Sequence, residues 1–161
     1  MLKNGALVKV LVVAGLLFSA SSVSRAQQGN HFALGPDQFK FDSTHGGAVL
    51  CAWAIYLETQ AATKACGLPR TPTDDAIDKA VLEIDDFIIA NSSLHPTRSA
   101  LEDFKRQSSE SFIRDLRKGG LQTYCGGQEL QTFRRGSPAQ IEASVRQLLA
   151  TPREPVMNPC L

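Results

Sequence analysis

The sequence predicts an all-α protein: a small disulfide-stapled helical bundle with three long helices and one or two short ones. Residues 48–57 are all apolar, counting cysteine and tyrosine, which is typical of a helix buried on every side. Later segments carry apolar residues at helical spacing. The N-terminus has the pattern of an export signal, and four cysteines lie after it in the chain. We predict a signal peptide at 1–26, an extended N-terminal arm at 27–44, and a single helical domain at 45–161 that ends in an extended C-terminal tail.

The first 26 residues have the pattern of a signal peptide. Lys3 and Lys9 supply a positive start, residues 10–20 an apolar middle, and residues 24–26 a small-residue cleavage motif. A retained membrane anchor is the alternative, but the apolar run is short and a cleavage site follows it. We therefore expect an exported protein, either periplasmic or extracellular.

The apolar run belongs to a longer predicted helix at 46–66, around which the rest of the chain packs. Its ten consecutive apolar residues are too few to cross a bilayer, which needs about twenty, so we place the helix in a protein core. Ser43 or Thr44 is expected to cap its N-terminus and Gly67 to end it. In the preceding arm we expect the phenylalanines to pack onto the helices: Phe32, Phe39 and Phe41.

Two further long helices follow. Thr71, Pro72 and Asp74 provide a cap, a proline at the first helical position and a carboxylate in the first turn, and the helix that they begin ends at 91–93. Its apolar stripe consists of Ile77, Ala80, Val81, Ile84, Phe87 and Ile88. The third helix runs from 96–97 to 118, and its stripe consists of Leu101, Phe104, Phe112 and Leu116, with Ser108 in the middle position.

The C-terminal third is less regular. Residues 121–136 are compatible with a short helix or an ordered loop, and the sequence leaves both open. Ser137, Pro138 and Gln140 repeat the capping pattern and predict a final helix of about three turns. The tail at 151–161 contains three prolines, so we expect it to be extended and held only through Cys160.

The four cysteines predict two disulfides, since an even number in an exported chain forms structural bonds. Cys51 and Cys66 lie on one predicted helix about 22 Å apart, whereas a disulfide needs α-carbons within about 7 Å. Short connections make consecutive helices antiparallel, so the ends of the first and third helices share one pole and the final helix returns to the other. We therefore predict Cys66–Cys125 and Cys51–Cys160.

The net charge argues against one class of partner. The chain has 17 basic and 16 acidic residues, and loss of Lys3, Lys9 and Arg25 with the signal leaves 14 against 16, a net charge of −2. Nucleic-acid binding normally requires a basic surface, so we expect no nucleic-acid partner. No second long apolar run or basic amphipathic helix predicts membrane insertion after the signal is cleaved.

No catalytic or metal-binding motif is present in the sequence. The three histidines are isolated, the HExxH and G-x-S-x-G motifs are absent, and a paired cysteine cannot act as a nucleophile. We therefore predict no catalytic residue, no metal site and no cofactor. A hydrolase that uses carboxylates of the second predicted helix is the least favoured alternative.

Charged residues concentrate on the second and third predicted helices. The acids stand mostly opposite the isoleucine stripe, which favours a solvated face. Acidic and basic helices either pair within the molecule, through ion pairs worth little, or present a docking surface to a charged partner. The candidate partner-binding residues are Asp74, Asp75, Asp78, Asp85, Asp86, Arg114, Arg117 and Lys118.

These observations favour a small exported, non-enzymatic protein that binds another exported or envelope protein, as an inhibitor, immunity-type or accessory factor. The alternative is a small-ligand carrier with a cavity between its helices. The residues expected to line that cavity are Trp53, Tyr56, Phe87 and Phe104.

Overall fold

A computed structural model describes residues 32–160; the predicted signal peptide at 1–26 and the first residues of the arm lie outside the described residues. The helices are Val49–Ala65 (α1), Pro72–Asn91 (α2), Arg98–Gly119 (α3), Leu121–Gly126 (α4), Gln128–Arg134 (α5) and Pro138–Leu148 (α6), preceded by a 3-10 helix at Pro36–Phe39. Within the described residues there is no β-strand, only an isolated bridge between Phe41 and Asn158. The predicted all-α, disulfide-stapled bundle is confirmed.

The core is built around α1, which packs against both α2 and α3, while α6 packs along α2. Because α1 is apolar on most of its surface, it buries side chains on several sides at once. The stripe predicted for α2 is buried as expected. The most deeply buried large side chains of the two helices are Leu50, Trp53, Ile77, Ile84 and Ile88.

Local capping explains where two of the long helices begin. The Thr71 hydroxyl accepts a hydrogen bond from the Asp74 backbone N–H, and the Asp74 carboxylate accepts one from the Thr71 backbone N–H at 2.8 Å. Thr97 begins α3 in the same way, through the Ala100 N–H at 3.1 Å. Ser137 precedes α6 but its side chain caps no N–H, so the predicted capping bond is wrong there.

The beginning of α1 also differs from the prediction. The helix begins at Val49, and its N-cap is Ala48, which has no side chain able to cap. Neither Ser43 nor Thr44 reaches it, because both lie in the preceding loop. The Leu50 N–H instead donates to the carbonyl of Val156 in the tail, at 3.0 Å. A carbonyl from a segment distant in sequence therefore accepts a hydrogen bond at the helix N-terminus, where we predicted a cap from a nearby side chain.

Residues 121–136 form two short helices rather than a loop. Gly120 follows α3 with φ +109°, a left-handed conformation that glycine adopts without penalty, and α4 begins immediately afterwards. Gly127 separates α4 from α5. Leu130 of α5 is buried, which fixes this otherwise polar segment to the bundle.

The two disulfides are those that the sequence predicts. The tail disulfide, Cys51–Cys160, has an α-carbon separation of 5.3 Å. The second disulfide, Cys66–Cys125, has an α-carbon separation of 5.6 Å. All four cysteines are therefore paired. Two such bonds are compatible with an oxidising compartment.

The tail is held at more points than Cys160, so the prediction of a single attachment is wrong. The Glu154 carboxylate accepts hydrogen bonds from Gln38 Nε2 at 2.5 Å, from the Ser92 hydroxyl at 3.1 Å and from the Ser93 N–H at 2.7 Å. A half-buried carboxylate requires such donors, but here they come from the arm and from the end of α2. The tail thus joins three parts of the chain.

The arm packs through only one of its phenylalanines. Phe32 is buried, and its ring meets Trp53 and Phe104 edge-on, with centroid distances of 6.3 and 5.2 Å. Phe39 and Phe41 are 54% and 74% exposed. The expectation that the arm packs through its phenylalanines is therefore confirmed for Phe32 and wrong for the other two.

Candidate ligand-binding site

An apolar cavity of about 200 Å³ lies between α1 and α3. The arm closes it with Leu34 and the tail with Met157. The remaining lining residues are Leu50, Trp53, Ala54, Leu57, Glu58, Phe104, Ser108, Ser109 and Phe112. Only the glutamate and the two serines are polar, so the surface available to a ligand is mostly hydrocarbon and aromatic ring.

Helical spacing places these side chains on facing surfaces. On α1 the contributing positions recur three and four residues apart, at 50, 53, 54, 57 and 58. On α3, Phe104, Ser108 and Phe112 are each four residues apart. Ser108 therefore puts a small side chain between two large rings, with Ala54 lining the same space from α1. We attribute the cavity to these small residues, since larger ones would fill it.

Trp53 forms a rigid wall of the cavity. Its indole is only 2% exposed and stacks on Phe104, with a centroid distance of 5.4 Å and an interplanar angle of 12°. The indole Nε1 donates a 2.8 Å hydrogen bond to the carboxylate of Asp85 on α2. The ring is therefore fixed by packing on one side and by a buried acceptor on the other.

Asp85 is completely buried beneath this wall. Its carboxylate also accepts a 2.6 Å bond from Lys105 Nζ on α3. Burial raises the pKa of Asp85, and the hydrogen bond and charge of Lys105 offset part of that effect. Trp53, Asp85 and Lys105 thus link α1, α2 and α3 behind the cavity. The buried negative charge of Asp85 is balanced there by the positive charge of Lys105.

Glu58 lines the cavity, and Glu129 and Tyr124 lie near it. Partial burial, together with the nearby charge of Glu129 on α5, raises the pKa of Glu58. Burial and then the charges of Glu129 and Glu58 raise the pKa of Tyr124 on α4. The Tyr124 ring meets the cavity residue Phe112 edge-on at 6.1 Å. Neither glutamate forms an ion pair with any residue in the 32–160 range.

The four residues predicted to line a cavity do not meet at one site. Trp53 and Phe104 line the cavity between α1 and α3. Tyr56 instead lines an open groove beside α5 and α6, where Phe133 lies edge-on to it at 6.1 Å. Phe87 lies below the Arg153 guanidinium, 5.7 Å from its ring centroid. The missed lining residue Phe112 could have been found from its four-residue spacing to Ser108 and Phe104.

Two of the five aspartates predicted on an exposed acidic face are buried, so the prediction is wrong for Asp74 and Asp85. Asp74 accepts bonds of 3.1 and 2.8 Å from Arg134 on α5. Asp85 is bound by Trp53 and Lys105 as described above. Each takes a position next to the apolar stripe because a cation or donor from another helix is available there, which periodicity alone does not reveal.

The other three aspartates pair within the molecule. Asp75 and Asp78 both bind Arg70 in the loop before α2, at 2.5 and 2.6 Å, and Asp86 binds Arg98 at the beginning of α3. These groups are mostly exposed, so each pair contributes little to stability.

The basic residues predicted for the same surface lie on the exposed second half of α3. Arg114 donates to the Ser111 hydroxyl at 3.0 Å, and Lys118 binds Asp115 at 3.1 Å. Arg117 is exposed in the same turn. The ion pairs that join α2 to α3 instead use residues of the first half of α3. The eight candidate residues therefore do not form one docking face.

The described residues hold neither a cluster of metal-ligating side chains nor a helix able to span a membrane. Among residues 32–160, no three histidine, cysteine, aspartate or glutamate side chains come together in a way that could hold a metal ion. In the same range, none of the helices has the length and apolar character needed to cross a membrane. The chain matches no family model, no curated protein and no solved structure.

Proposed function

We propose that this chain is an exported, non-enzymatic binding protein that carries a small, mainly apolar ligand in the cavity between α1 and α3. The observation that carries the proposal is the cavity itself, with about 200 Å³ bounded mainly by apolar side chains from two helices, the arm and the tail. For comparison, an engineered cavity of about 150 Å³ with an apolar lining stays dry and binds benzene. The expected ligand is therefore about the size of one substituted ring.

The export part of the proposal is supported by two independent features. The N-terminal sequence has the charge and apolar pattern of a cleavable signal, and both disulfides join segments that are far apart in sequence. Such bonds persist in oxidising compartments, including the periplasm and the extracellular space. Storage or transfer of a ligand in such a compartment requires binding but no catalytic group.

Toluene is a suitable first probe, because it is small, apolar and uncharged. Trp53 is the only tryptophan in the chain and lines the cavity, so its fluorescence reports ligand entry directly. We expect toluene to change Trp53 emission saturably and to raise the melting temperature, since a ligand that binds only the folded state stabilises it.

Filling the cavity is the control. Ala54→Leu should abolish the toluene response, whereas Ala143→Leu on the exposed face of α6 should leave it unchanged. Ser108→Leu fills the same space from α3 and serves if the first variant does not fold. No saturable response of the wild type to toluene or to rings of similar size that bear a polar group, or an undiminished toluene response in a folded cavity-filled variant, would refute the carrier proposal.

A protein partner is the second candidate, and one observation favours it. Phe39 and Phe41 are 54% and 74% exposed on either side of the exposed Lys40. Large aromatic side chains are enriched at protein interfaces. If this site recruits an exported or envelope protein, as an inhibitor, immunity-type or accessory factor would, photo-crosslinking from position 39 should label one defined species. Phe41→Ser should then weaken that labelling, and unchanged labelling would exclude this site.

A further inference from the structure

We propose that the ligand of the cavity is an organic cation, a compact amine whose apolar body lies between α1 and α3 and whose ammonium group lies at Glu58. This inference rests on the proposed carrier function and specifies the ligand class of the same site. It is argued from the charge and the ring content of the lining.

Among residues 32–160, Glu58 is the single charged residue that lines the cavity, and no lysine, arginine or histidine of that range lines it. It lies one turn after Ala54 on α1 and next to Leu57, so its exposed side chain borders the apolar space. A ligand that fills the cavity displaces part of the water around that side chain, and a cationic group beside the carboxylate compensates for this loss better than a neutral group does. A neutral ligand offers no such compensation, and an anion would be repelled.

The surroundings of Glu58 strengthen the electrostatic attraction of a cation to this position. Glu129 adds a second negative charge nearby, and within the described chain neither carboxylate has an ion-pair partner. Partial burial and this repulsion raise the pKa of Glu58. An ammonium group beside Glu58 would relieve both effects, because it supplies an opposite charge.

The aromatic lining favours the same ligand class. Trp53, Phe104 and Phe112 all line the cavity, and the Tyr124 ring meets Phe112 edge-on. The faces of aromatic rings carry negative potential and attract ammonium groups, and aromatic sites for organic cations use this attraction. Several rings together with a single carboxylate thus suit an amine with an apolar body better than they suit a plain hydrocarbon.

Three probes of nearly equal size separate charge from shape: benzylamine, benzyl alcohol and benzoate. We expect Trp53 fluorescence titrations at pH 7 and low salt to give a dissociation constant for benzylamine about tenfold lower than for benzyl alcohol. Benzoate should bind most weakly. Glu58→Gln should bring benzylamine and benzyl alcohol to within about twofold of each other, a loss of about 1 kcal/mol or more from the amine alone.

Glu110→Gln, an exposed position on α3 outside the cavity lining, is the matched control and should keep the full preference. Raising the salt concentration on the wild-type protein gives a second measurement that needs no variant. It should weaken benzylamine binding and leave benzyl alcohol binding unchanged.

The outcomes separate the two proposals. Saturable toluene binding without a preference for benzylamine would overturn the cation inference and leave the carrier function standing. Absence of saturable binding by toluene, benzyl alcohol and benzylamine alike would overturn both. An amine preference that persists undiminished in Glu58→Gln would also overturn the inference, since it assigns the preference to that carboxylate.

Discussion

The ion pair between Asp74 and Arg134 joins the beginning of α2 to the end of α5, and Arg134→Met should destabilise the protein strongly. Both side chains are only 7% exposed. The guanidinium donates two bonds to the carboxylate, at 3.1 and 2.8 Å, and a third to the Pro69 carbonyl at 2.5 Å. Methionine replaces much of the aliphatic stem but leaves the carboxylate buried without its opposite charge.

Removal of one partner from a buried ion pair costs about 3–5 kcal/mol. We expect the lower end of this range, about 3 kcal/mol, because Asp74 keeps its hydrogen bonds to the backbone and hydroxyl of Thr71. For a domain of this size that corresponds to a fall in melting temperature of roughly 10 °C. Combining Arg134→Met with Asp74→Asn should recover at least about 1 kcal/mol, since no unpaired charge then remains buried.

Urea unfolding at pH 7 and pH 3 measures the effect. The hydrogen bonds from Arg134 are the main cause that holds the pKa of Asp74 below its usual range. A lowered folded-state pKa contributes stability above the unfolded value of about 3.9, and this stability is lost as the pH falls through the folded-state pKa. The difference between wild type and Arg134→Met should therefore shrink from pH 7 to pH 3. A pH-independent difference, or one below about 0.5 kcal/mol at pH 7, would refute the reasoning.

Three further changes test other contacts. Lys105→Met removes the nearer of the two cations beside Asp85, leaving Arg98 at 3.6 Å, and should destabilise the fold by about 2–4 kcal/mol at pH 7 in urea unfolding. Because burial raises the folded-state pKa of Asp85, this loss should decrease as the pH falls toward 4. Thr71→Ala should lower the free energy of unfolding by about 1 kcal/mol, because the Thr71 side chain caps α2. Ser137→Ala should leave the free energy of unfolding unchanged, because the Ser137 side chain forms no capping bond. Replacing the tail disulfide by serines should cost up to about 5 kcal/mol and weaken toluene binding, since Met157 lines the cavity.

A specific experimental result would contradict each of these expectations. A pH-independent deficit in Lys105→Met would mean that the charge of Asp85 does not determine it. Equal losses in Thr71→Ala and Ser137→Ala would mean that the observed capping bond contributes nothing beyond the side-chain change. Unchanged toluene affinity after loss of the tail disulfide would show that the tail is not needed as a wall of the cavity.

The disulfide pairing was predictable from sequence because it depends on distances along helices. Cys51 and Cys66 lie on one continuous helix, and a rise of about 1.5 Å per residue separates them beyond bonding distance. The short connections then bring Cys125 to the pole of Cys66. The capping of α2 by Thr71 was predictable for the same kind of reason, since donor and acceptor lie within three residues of each other.

The cavity was only partly predictable. Of the four aromatic residues that the sequence predicts for a cavity between helices, Trp53 and Phe104 line it, whereas Tyr56 and Phe87 point to other parts of the molecule. The direction of each side chain depends on how a helix is rotated about its axis in the bundle. For α1, which is apolar on most sides, the sequence contains no polar face that would indicate this rotation.

The sequence by itself determined the helical class, most helix boundaries and the cysteine pairs, because these follow from contacts within a few residues and from the fixed rise of a helix. Only the tertiary structure decided which acids are buried, as Asp74 and Asp85 are, and that the Val156 carbonyl serves the beginning of α1. It also decided that Ser108 and Ala54 leave a space between rings. Such features depend on side chains and carbonyls from segments distant in sequence. Local periodicity carries no information about which of these groups lies next to a given residue in the folded protein.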